Sequence, residues 1–417
     1  MSTTTRPLGA GFTRLWTASG TSNIADGIDV VVLPLLAATL TRSPALVAGV
    51  ALAERLPWLV FALPAGALAD RLDRRRVMIG VQLLRFAVLG TLAALVAADV
   101  ATIWLIYAAA IILGIGETMY DTAAQSAITA VVDKDDLSRA NSRLYAAELT
   151  ANQFIGPPLG GVLAGIAGIG LALGLGTAAV LFAVAALLLS AMRGVFQATA
   201  PEGAPARGIL RGLRADIAEG LRYLTGNRVL RTFAVMTGLQ NLAFTATFSV
   251  FVLYAVGPGS PMGLTRSQYG LLFTALGVGA VLGSLLSDRA QRLIGRFNVL
   301  VVVLATGVLM TIVPAFTTSP WPIAAAMVIG SVGTVMWNVV TVSLRQRIAP
   351  DHLLGRVNAG YRLLAWGSMP LGAALGGAVG ELLGLRAVFL IAGALVLLNF
   401  LLLPAVTEAR LRDVEAV

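Results

Sequence analysis

The sequence predicts an all-α polytopic membrane protein whose chain crosses the bilayer twelve times. Of its 417 residues, 57% are hydrophobic and 12% are charged, and the mean hydropathy is +0.85. Soluble domains carry charge on about a quarter of their residues, so this composition excludes an ordinary soluble fold. Twelve apolar segments each approach the ~20 residues that a spanning helix needs. We number these segments spans 1 to 12, and they cover residues 14–40, 45–69, 77–97, 101–128, 140–166, 171–192, 229–256, 267–287, 297–316, 321–344, 357–381 and 385–404.

The positions of the basic residues predict how the chain is oriented. The net charge is +9, but the arginines lie in short loops between apolar segments, so we exclude nucleic acid as a partner. With a cytoplasmic N-terminus, only Arg42, Arg266 and Arg386 fall in outer loops. Because Lys and Arg favour cytoplasmic loops, the sequence predicts that both termini lie on the cytoplasmic side of the plasma membrane. Span 1 is too long for a cleaved secretion signal, and we expect it to remain.

Residue types that carry much of enzyme chemistry are scarce in this chain. It contains no cysteine and one histidine, His352, which falls in a predicted polar loop. Gly114 and Gly116 lie inside an apolar segment with no strand before them, so they predict no phosphate-binding loop. We therefore expect no enzymatic activity, no metal and no cofactor. Lys134 is the sole lysine, and this preference for arginine indicates a GC-rich bacterial genome.

The two halves of the chain repeat each other at a shift of 217 positions. The matches that apolar similarity does not explain are Trp104, Arg139 and Asn141 with Trp321, Arg356 and Asn358. A parallel repeat of six spans predicts two six-helix bundles, residues 1–192 and 229–417, joined by a cytoplasmic linker at 193–228. Leucines on one face of the linker's second part predict an amphipathic helix on the inner membrane surface. A regulatory, protein-binding helix is the alternative.

A dense charge cluster separates spans 2 and 3. It resembles the signature loop of the major facilitator superfamily, and the positions that match are Gly66, Leu68, Asp70, Arg71, Arg74 and Arg75. Asp73 occupies a position of the signature loop where the superfamily usually has a small residue. The resemblance implies that Asp70 docks at the positive N-terminal end of span 11 as part of a conformational hinge, with Asp288 and Arg289 as a shorter second copy that meets span 5. A stop-transfer loop whose arginines only fix orientation is the alternative.

A second motif lies in span 5. Gly156, Pro157, Gly160 and Gly161 look like the core of the antiporter motif of drug exporters, although Asn152 stands where the full pattern has a glycine. Proline bends a helix and glycines admit a close neighbour, so a generic packing kink is the alternative. With the polar openings of spans 5 and 11, the motif is similar to the branch that includes macrolide and siderophore exporters.

Acidic residues inside the predicted spans belong to the first half, apart from Glu381 at the outer end of span 11. Together with two arginines of the same half, the candidate residues are Asp26, Asp29, Glu54, Arg55, Arg85, Glu117, Asp121 and Glu148. Charges in a membrane are costly, so they mark proton and substrate pathways. In the superfamily spans 1, 4, 7 and 10 line the central cavity, which implies that spans 1 and 4 carry proton and substrate charge. Asp26 lies about twelve residues into span 1, near the midplane, and desolvation favours a proton on at least one of these acids. Neutralisation of a neighbouring acid by Arg55 or Arg85, merely to hold helices together, is the alternative.

Three functions remain compatible with the sequence. The first is proton-coupled export (antiport) of amphipathic small molecules such as drugs, macrolides or siderophores by alternating access, by a monomer whose partners are substrate, protons and the bilayer. The second is proton-coupled import of a polar nutrient, which the antiporter-like motif disfavours. The third is a non-transporting membrane receptor or assembly factor, which needs no carboxylates in the membrane.

Overall fold

The computed structural model describes residues 8–69, 72–192, 196, 218–350 and 353–407, and these residues are almost entirely helical. Eight spans are single helices: Gly9–Leu40, Pro44–Ala69, Arg74–Ala97 and Ile103–Val131 for spans 1 to 4, Gly170–Ser190 and Arg228–Ala255 for spans 6 and 7, and Pro320–Ile348 and Leu354–Leu383 for spans 10 and 11. Span 12 is Leu385–Leu397 with a 3-10 extension, Leu398–Ala405. Each predicted span therefore falls on a helix.

Two places depart from simple helix-for-span correspondence. Span 5 is built from Leu137–Thr150, a π-helical turn at Ala151–Ile155, and Gly156–Ala164. Spans 8 and 9 run through Arg266–Ile312 with a break at Gly295, whose φ of 77° a glycine adopts without strain. Nine helices of the described chain are long and apolar enough to cross a membrane when spans 8 and 9 count as one. Span 5 is too interrupted to be counted, and the side chains of span 2 are described only to residue 60.

Local capping explains where several helices begin. Asp73 accepts a hydrogen bond from the backbone N–H of Arg76 at 3.0 Å and so caps span 3. This role explains why an acid stands where the signature loop usually has a small residue. Asn227 caps span 7 in the same way, through bonds from the N–H groups of Val229 and Leu230.

The described residues form two compact units. The first contains the chain up to Leu36, the stretch from Leu56 through Met192, and Arg266–Leu271. The second contains Ala37–Arg55, the stretch from residue 218 to Thr265, and the chain from Leu272 onward. Span 2 is thus shared between the units, with the change at Arg55 and Leu56.

The internal repeat is visible in matching helix bounds. Span 4 begins at Ile103 and ends at Val131, and a shift of 217 positions carries both bounds onto those of span 10. Trp104 and Trp321 occupy the second position of these helices and are 68% and 81% exposed. Exposed tryptophans at helix ends are typical of the interface between membrane and water, so the repeat extends to the expected membrane boundary.

Within the linker the structure describes Phe196 and residues 218–228, and residues 218–226 are helical. Leu224 is fully buried in the core of the second unit, and Leu221 packs against Gly360 of span 11. An ion pair between Glu219 and Arg356 joins the same two elements. The apolar face of this part therefore packs on protein, where the sequence predicted a membrane surface. His352 and the rest of the linker lie outside the described residues.

Candidate functional site: a charged cluster in the first unit

The loop between spans 2 and 3 is only partly described. Asp70 and Arg71 lie outside the described residues, and Gly66 falls within the helix of span 2. Arg74 donates to the carbonyl of Ser126 at 2.9 Å, and Arg75 donates to the carbonyl of Leu189 at 3.0 Å. These two arginines therefore tie the start of span 3 to the last two turns of spans 4 and 6, where the helix dipole favours a cation.

The shorter second copy of the signature loop is fully described. Asp288 and Arg289 are exposed, and Asp288 lines a cavity of about 330 Å³ with Arg292, Arg296 and Arg347. This carboxylate therefore stands among several arginines of its own unit. Its predicted contact with span 5 stays a prediction.

The glycines of the antiporter-like motif bring spans 1 and 5 into backbone contact. A Cβ at Gly156 would lie 2.5 Å from the Cα of Gly27, and one at Gly160 would lie 2.9 Å from the carbonyl oxygen of Ile28. On another face, a Cβ at Gly161 would lie 2.6 Å from the Cα of Gly270. Only glycine allows this spacing, which is the means by which membrane helices pack closely.

A π-helical turn precedes this crossing. It spans Ala151–Ile155 and ends directly before Gly156 and Pro157. Because Pro157 has no N–H to donate, a change in helical winding at this point accommodates the missing bond. Asn152 lies in the turn, and its Nδ2 donates to Oδ1 of Asn23 on span 1 at 3.0 Å. The departure from the full motif therefore adds a polar link to the same crossing.

An ion pair between Arg85 of span 3 and Asp26 of span 1 lies at the centre of the charged residues. The side chain of Arg85 is 3% exposed and that of Asp26 is 18% exposed. The guanidinium also lies 4.2 Å from the ring centroid of Phe182, in cation–π geometry. The absence of a side chain at Gly116 leaves room for the arginine stem, because a Cβ there would lie 3.3 Å from its Cγ.

Two more carboxylates act on Arg85. Asp29 follows Asp26 by almost one helical turn and is only 6% exposed. Both Asp29 and Glu117 attract the guanidinium electrostatically. Glu117 is half-buried, and its Oε2 lies 3.5 Å from Nε1 of Trp58. Arg85 is therefore the common counter-ion of several acids.

Asp121 and Glu148 extend this cluster of acids. Asp121 is half-buried and lies on the same face of span 4 as Glu117, at i, i+4. It interacts unfavourably with Glu117, Asp26 and Glu148, while Glu148 is exposed and also repelled by Glu117. Like charges at this spacing destabilise one another, so a proton or a bound cation relieves the repulsion.

The predicted set divides between the two units. Six of its eight members form this first-unit cluster, whereas Glu54 and Arg55 belong to the second unit. The counterparts of Glu117 and Asp121 in the repeat are Thr334 and Asn338, and each bonds a carbonyl of its own helix. Sequence reasoning missed Gly27, Asn23 and Phe182. The spacing of Asn23 and Gly27, at i, i+4 on one face of span 1, was a usable signal, but no pattern pointed to Phe182.

The fold and this charged interior define a membrane transport protein rather than an enzyme. Residues 2–417 match the family model described as transmembrane secretion effector, and the chain belongs to that family. It is 30% identical over 414 residues to the multidrug efflux pump Tap of Mycolicibacterium fortuitum, with 95% of each protein covered. It is also 26% identical to the enterobactin exporter EntS of Salmonella typhi. That alignment spans 357 residues and covers 83% of this chain and 80% of EntS.

A solved structure of the nucleoside transporter NupG has the same fold. It matches with a TM-score of 0.71 over 95% of this chain and 99% of that chain, at 16% identity. This match confirms the predicted all-α polytopic fold, and the family model and the two relatives confirm the resemblance to the major facilitator superfamily. The chain is a multi-span membrane transporter of small molecules with bacterial relatives.

Proposed function

We propose that this protein exports amphipathic small molecules, cationic ones in particular, in exchange for protons. The observation that carries the proposal is the cluster in the first unit, where Asp26, Asp29, Glu117 and Asp121 share Arg85 as their counter-ion and Glu148 adds a further acid. A carrier that exchanges a cation for protons needs carboxylates that either of them neutralises. The names of the relatives, a multidrug efflux pump and an enterobactin exporter, favour export over import.

Each part of the cluster has a proposed role. The ion pair of Asp26 and Arg85 couples spans 1 and 3, and a proton on Asp26 releases Arg85. Asp121 and Glu117 on span 4 attract the positive group of the substrate. The glycine crossing of spans 1 and 5 lets span 1 shift when the charge state changes, since glycine faces present no side chains that interlock.

The wider architecture of the proposal follows the repeat. Residues 1–192 and 229–417 form two six-helix bundles that alternate access to the two sides as a monomer, with cytoplasmic termini and a linker at 193–228. Asp70 and Arg71, with Asp288 and Arg289 as their second copy, bias the conformational equilibrium through helix dipoles. Contacts of this type are worth about 0.3 to 2 kcal/mol, which is enough to shift a nearly balanced equilibrium.

The experiment that tests export measures accumulation of a cationic lipophilic dye in bacterial cells that lack their own efflux pumps. Expression of the wild-type chain should lower accumulation in energised cells, and a protonophore should abolish the difference. Accumulation that rises with expression would instead show import. An unchanged level across a panel of cationic, neutral and anionic substrates would favour a receptor or assembly factor.

A further inference from the structure

A cavity of about 900 Å³ opens at one end of the second unit. Its walls come from four connections: the residues before span 2, the stretch after span 7, the stretch before span 10, and the turn between spans 11 and 12. All four are connections that the distribution of arginine predicts on the outer side of the membrane. Side chains of the lining that carry polar groups include Arg42, Tyr254, Ser260, Thr317, Thr318 and Arg386.

Arg42 is held in place by backbone rather than by an acid. Its Nη1 donates to the carbonyl of Val256 at 3.2 Å, and its guanidinium lies against Gly257. A side chain at Gly257 would collide with Arg42, and the φ of 104° there also favours glycine. The loop after span 7 therefore positions the guanidinium while leaving its charge without a carboxylate partner among the described residues.

Arg386 supplies a second positive group. It is the second residue of span 12, which starts at Leu385 after Gly384 with its φ of 85°. The first N–H groups of a helix lack partners within the helix and carry partial positive charge, so they add to the field of Arg386. Its guanidinium lies 5.9 Å from the ring centroid of Phe316.

No described residue that lines this cavity is acidic. The nearest acid in sequence is Glu381, and its Oε2 accepts hydrogen bonds from Oγ of Ser43 at 2.6 Å and from the N–H of Ala45 at 3.2 Å. This carboxylate caps the start of span 2, so one of its oxygens is already engaged there. Two arginines and a helix N-terminus thus face a polar cavity whose lining supplies no counter-ion.

The rim of the cavity is suited to a membrane interface. Phe316 is 69% exposed, and Leu382 and Leu383, just before Gly384, are 80% and 67% exposed. Trp321, five residues beyond Phe316, is 81% exposed. Large apolar side chains exposed beside arginines are typical of the boundary where lipid headgroups meet acyl chains.

We propose that this cavity binds the phosphate group of an anionic phospholipid of the outer leaflet. The planar guanidinium groups of Arg42 and Arg386 match the geometry of phosphate oxygens. The volume far exceeds that of a lone phosphate, so it accommodates the glycerol part of a headgroup as well. The exposed apolar rim receives the first carbons of the acyl chains. The site is independent of the transported substrate.

The test uses the full chain in an uncharged detergent. The protein is titrated separately with phosphatidylglycerol, with phosphatidylcholine of the same acyl chains, and with sodium phosphate. Native mass spectrometry counts the bound molecules, and thermal unfolding measures the stabilisation. We expect each wild-type chain to bind about one more molecule of phosphatidylglycerol than of phosphatidylcholine. Arg42→Gln and Arg386→Gln should each raise the phosphatidylglycerol concentration for half-maximal binding about fivefold, with phosphatidylcholine unaffected.

Two controls keep the result specific to this cavity. Arg266→Gln removes another predicted outer arginine, which donates to the carbonyl of Ala164 and does not line the cavity, so it should bind like the wild type. The double variant Arg42→Lys/Arg386→Lys conserves charge but loses the planar guanidinium groups, so it should bind phosphatidylglycerol more weakly than the wild type and more tightly than the Gln variants. Wild-type binding by both Gln variants would overturn the proposal. Equal stabilisation by phosphate alone would assign the site to a soluble anion and overturn the lipid source.

Discussion

At the scale of single residues, the ion pair of Arg85 and Asp26 decides how the charged cluster is interpreted. Arg85 is nearly inaccessible, and its counter-ion Asp26 is on a different span. A buried charge that loses its partner is costly, and removal of both charges avoids that cost for the pair itself but leaves Asp29 and Glu117 without their shared counter-ion. The pair is therefore a structural contact and, in the proposed mechanism, also the contact that a proton breaks.

The first prediction separates these two roles through stability. Asp26→Asn and Arg85→Gln should each lower the free energy of unfolding. A broken buried pair typically costs about 3–5 kcal/mol, and we expect values near the lower end of this range. Asp29 and Glu117 also attract Arg85 and compensate in part for the loss of Asp26. The double variant should be more stable than Arg85→Gln and should lose less than the sum of the two single losses, as measured by thermal unfolding in detergent. Additive losses in the double variant would show that the two side chains do not interact.

The second prediction concerns the charge of the substrate. Asp121→Asn should weaken binding of cationic substrates about tenfold while changing neutral ones little, because an attraction of roughly 1.4 kcal/mol is lost only for a charged ligand. The matched control is Asp99→Asn, which removes an acid from the turn between spans 3 and 4 at a φ of 56° that asparagine also tolerates. Fluorescence titration of the purified variants measures the affinity of each for cationic and for neutral substrates. Equal weakening of cationic and neutral substrates would contradict the role assigned to Asp121.

At the scale of helices, the crossing of spans 1 and 5 depends on backbone contact. Gly27 and Gly156 face each other so closely that a Cβ on either would lie within 3 Å of the Cα of the other. Such a contact is tighter than side chains tolerate, and both partners are backbone atoms, which cannot turn aside. The crossing is thus fixed by two glycines far apart in the sequence.

The third prediction tests this crossing. Gly27→Ala and Gly156→Ala should each destabilise the protein by about 1–3 kcal/mol through overpacking and should lower transport. Gly20→Ala is the matched control on span 1, because a Cβ there meets nothing within 4 Å and alanine favours a helix over glycine. Thermal unfolding together with dye efflux compares the three variants. A Gly156→Ala variant as stable and active as Gly20→Ala would show that spans 1 and 5 do not touch in the working protein.

At the scale of the whole molecule, the sequence predicts the number of spans and their bounds well. A stretch of apolar residues has to be about 20 residues long to cross a membrane, so composition alone limits each helix. The bounds of spans 4 and 10 coincide at a shift of 217 positions, so the repeat could also be recognised from the sequence. Helix ends set by single residues, such as Asp73 and Gly295, follow from caps and backbone preferences.

Other features could not be predicted because they depend on which helices become neighbours. The sequence left open whether Arg55 or Arg85 neutralises an acid, and only the packing of spans 1 and 3 joins Arg85 to Asp26. Glu54 lies in the same span as first-unit residues, yet it falls in the second unit, because span 2 is shared between the two. The π-helical turn before Pro157 likewise reflects a local adjustment with no signal in hydropathy.

The central claim is that the carboxylates of the first unit couple export to protons. The most direct measurement is uptake of a cationic substrate by proteoliposomes with an imposed pH gradient. The wild-type protein should concentrate substrate in an acidic lumen, and a protonophore should stop it. The Asp26→Asn variant, in which Asp29 and Glu117 still attract Arg85, should bind substrate and equilibrate it without concentrating it. Full gradient-driven accumulation by this variant, or wild-type accumulation that persists without a pH gradient, would contradict the account.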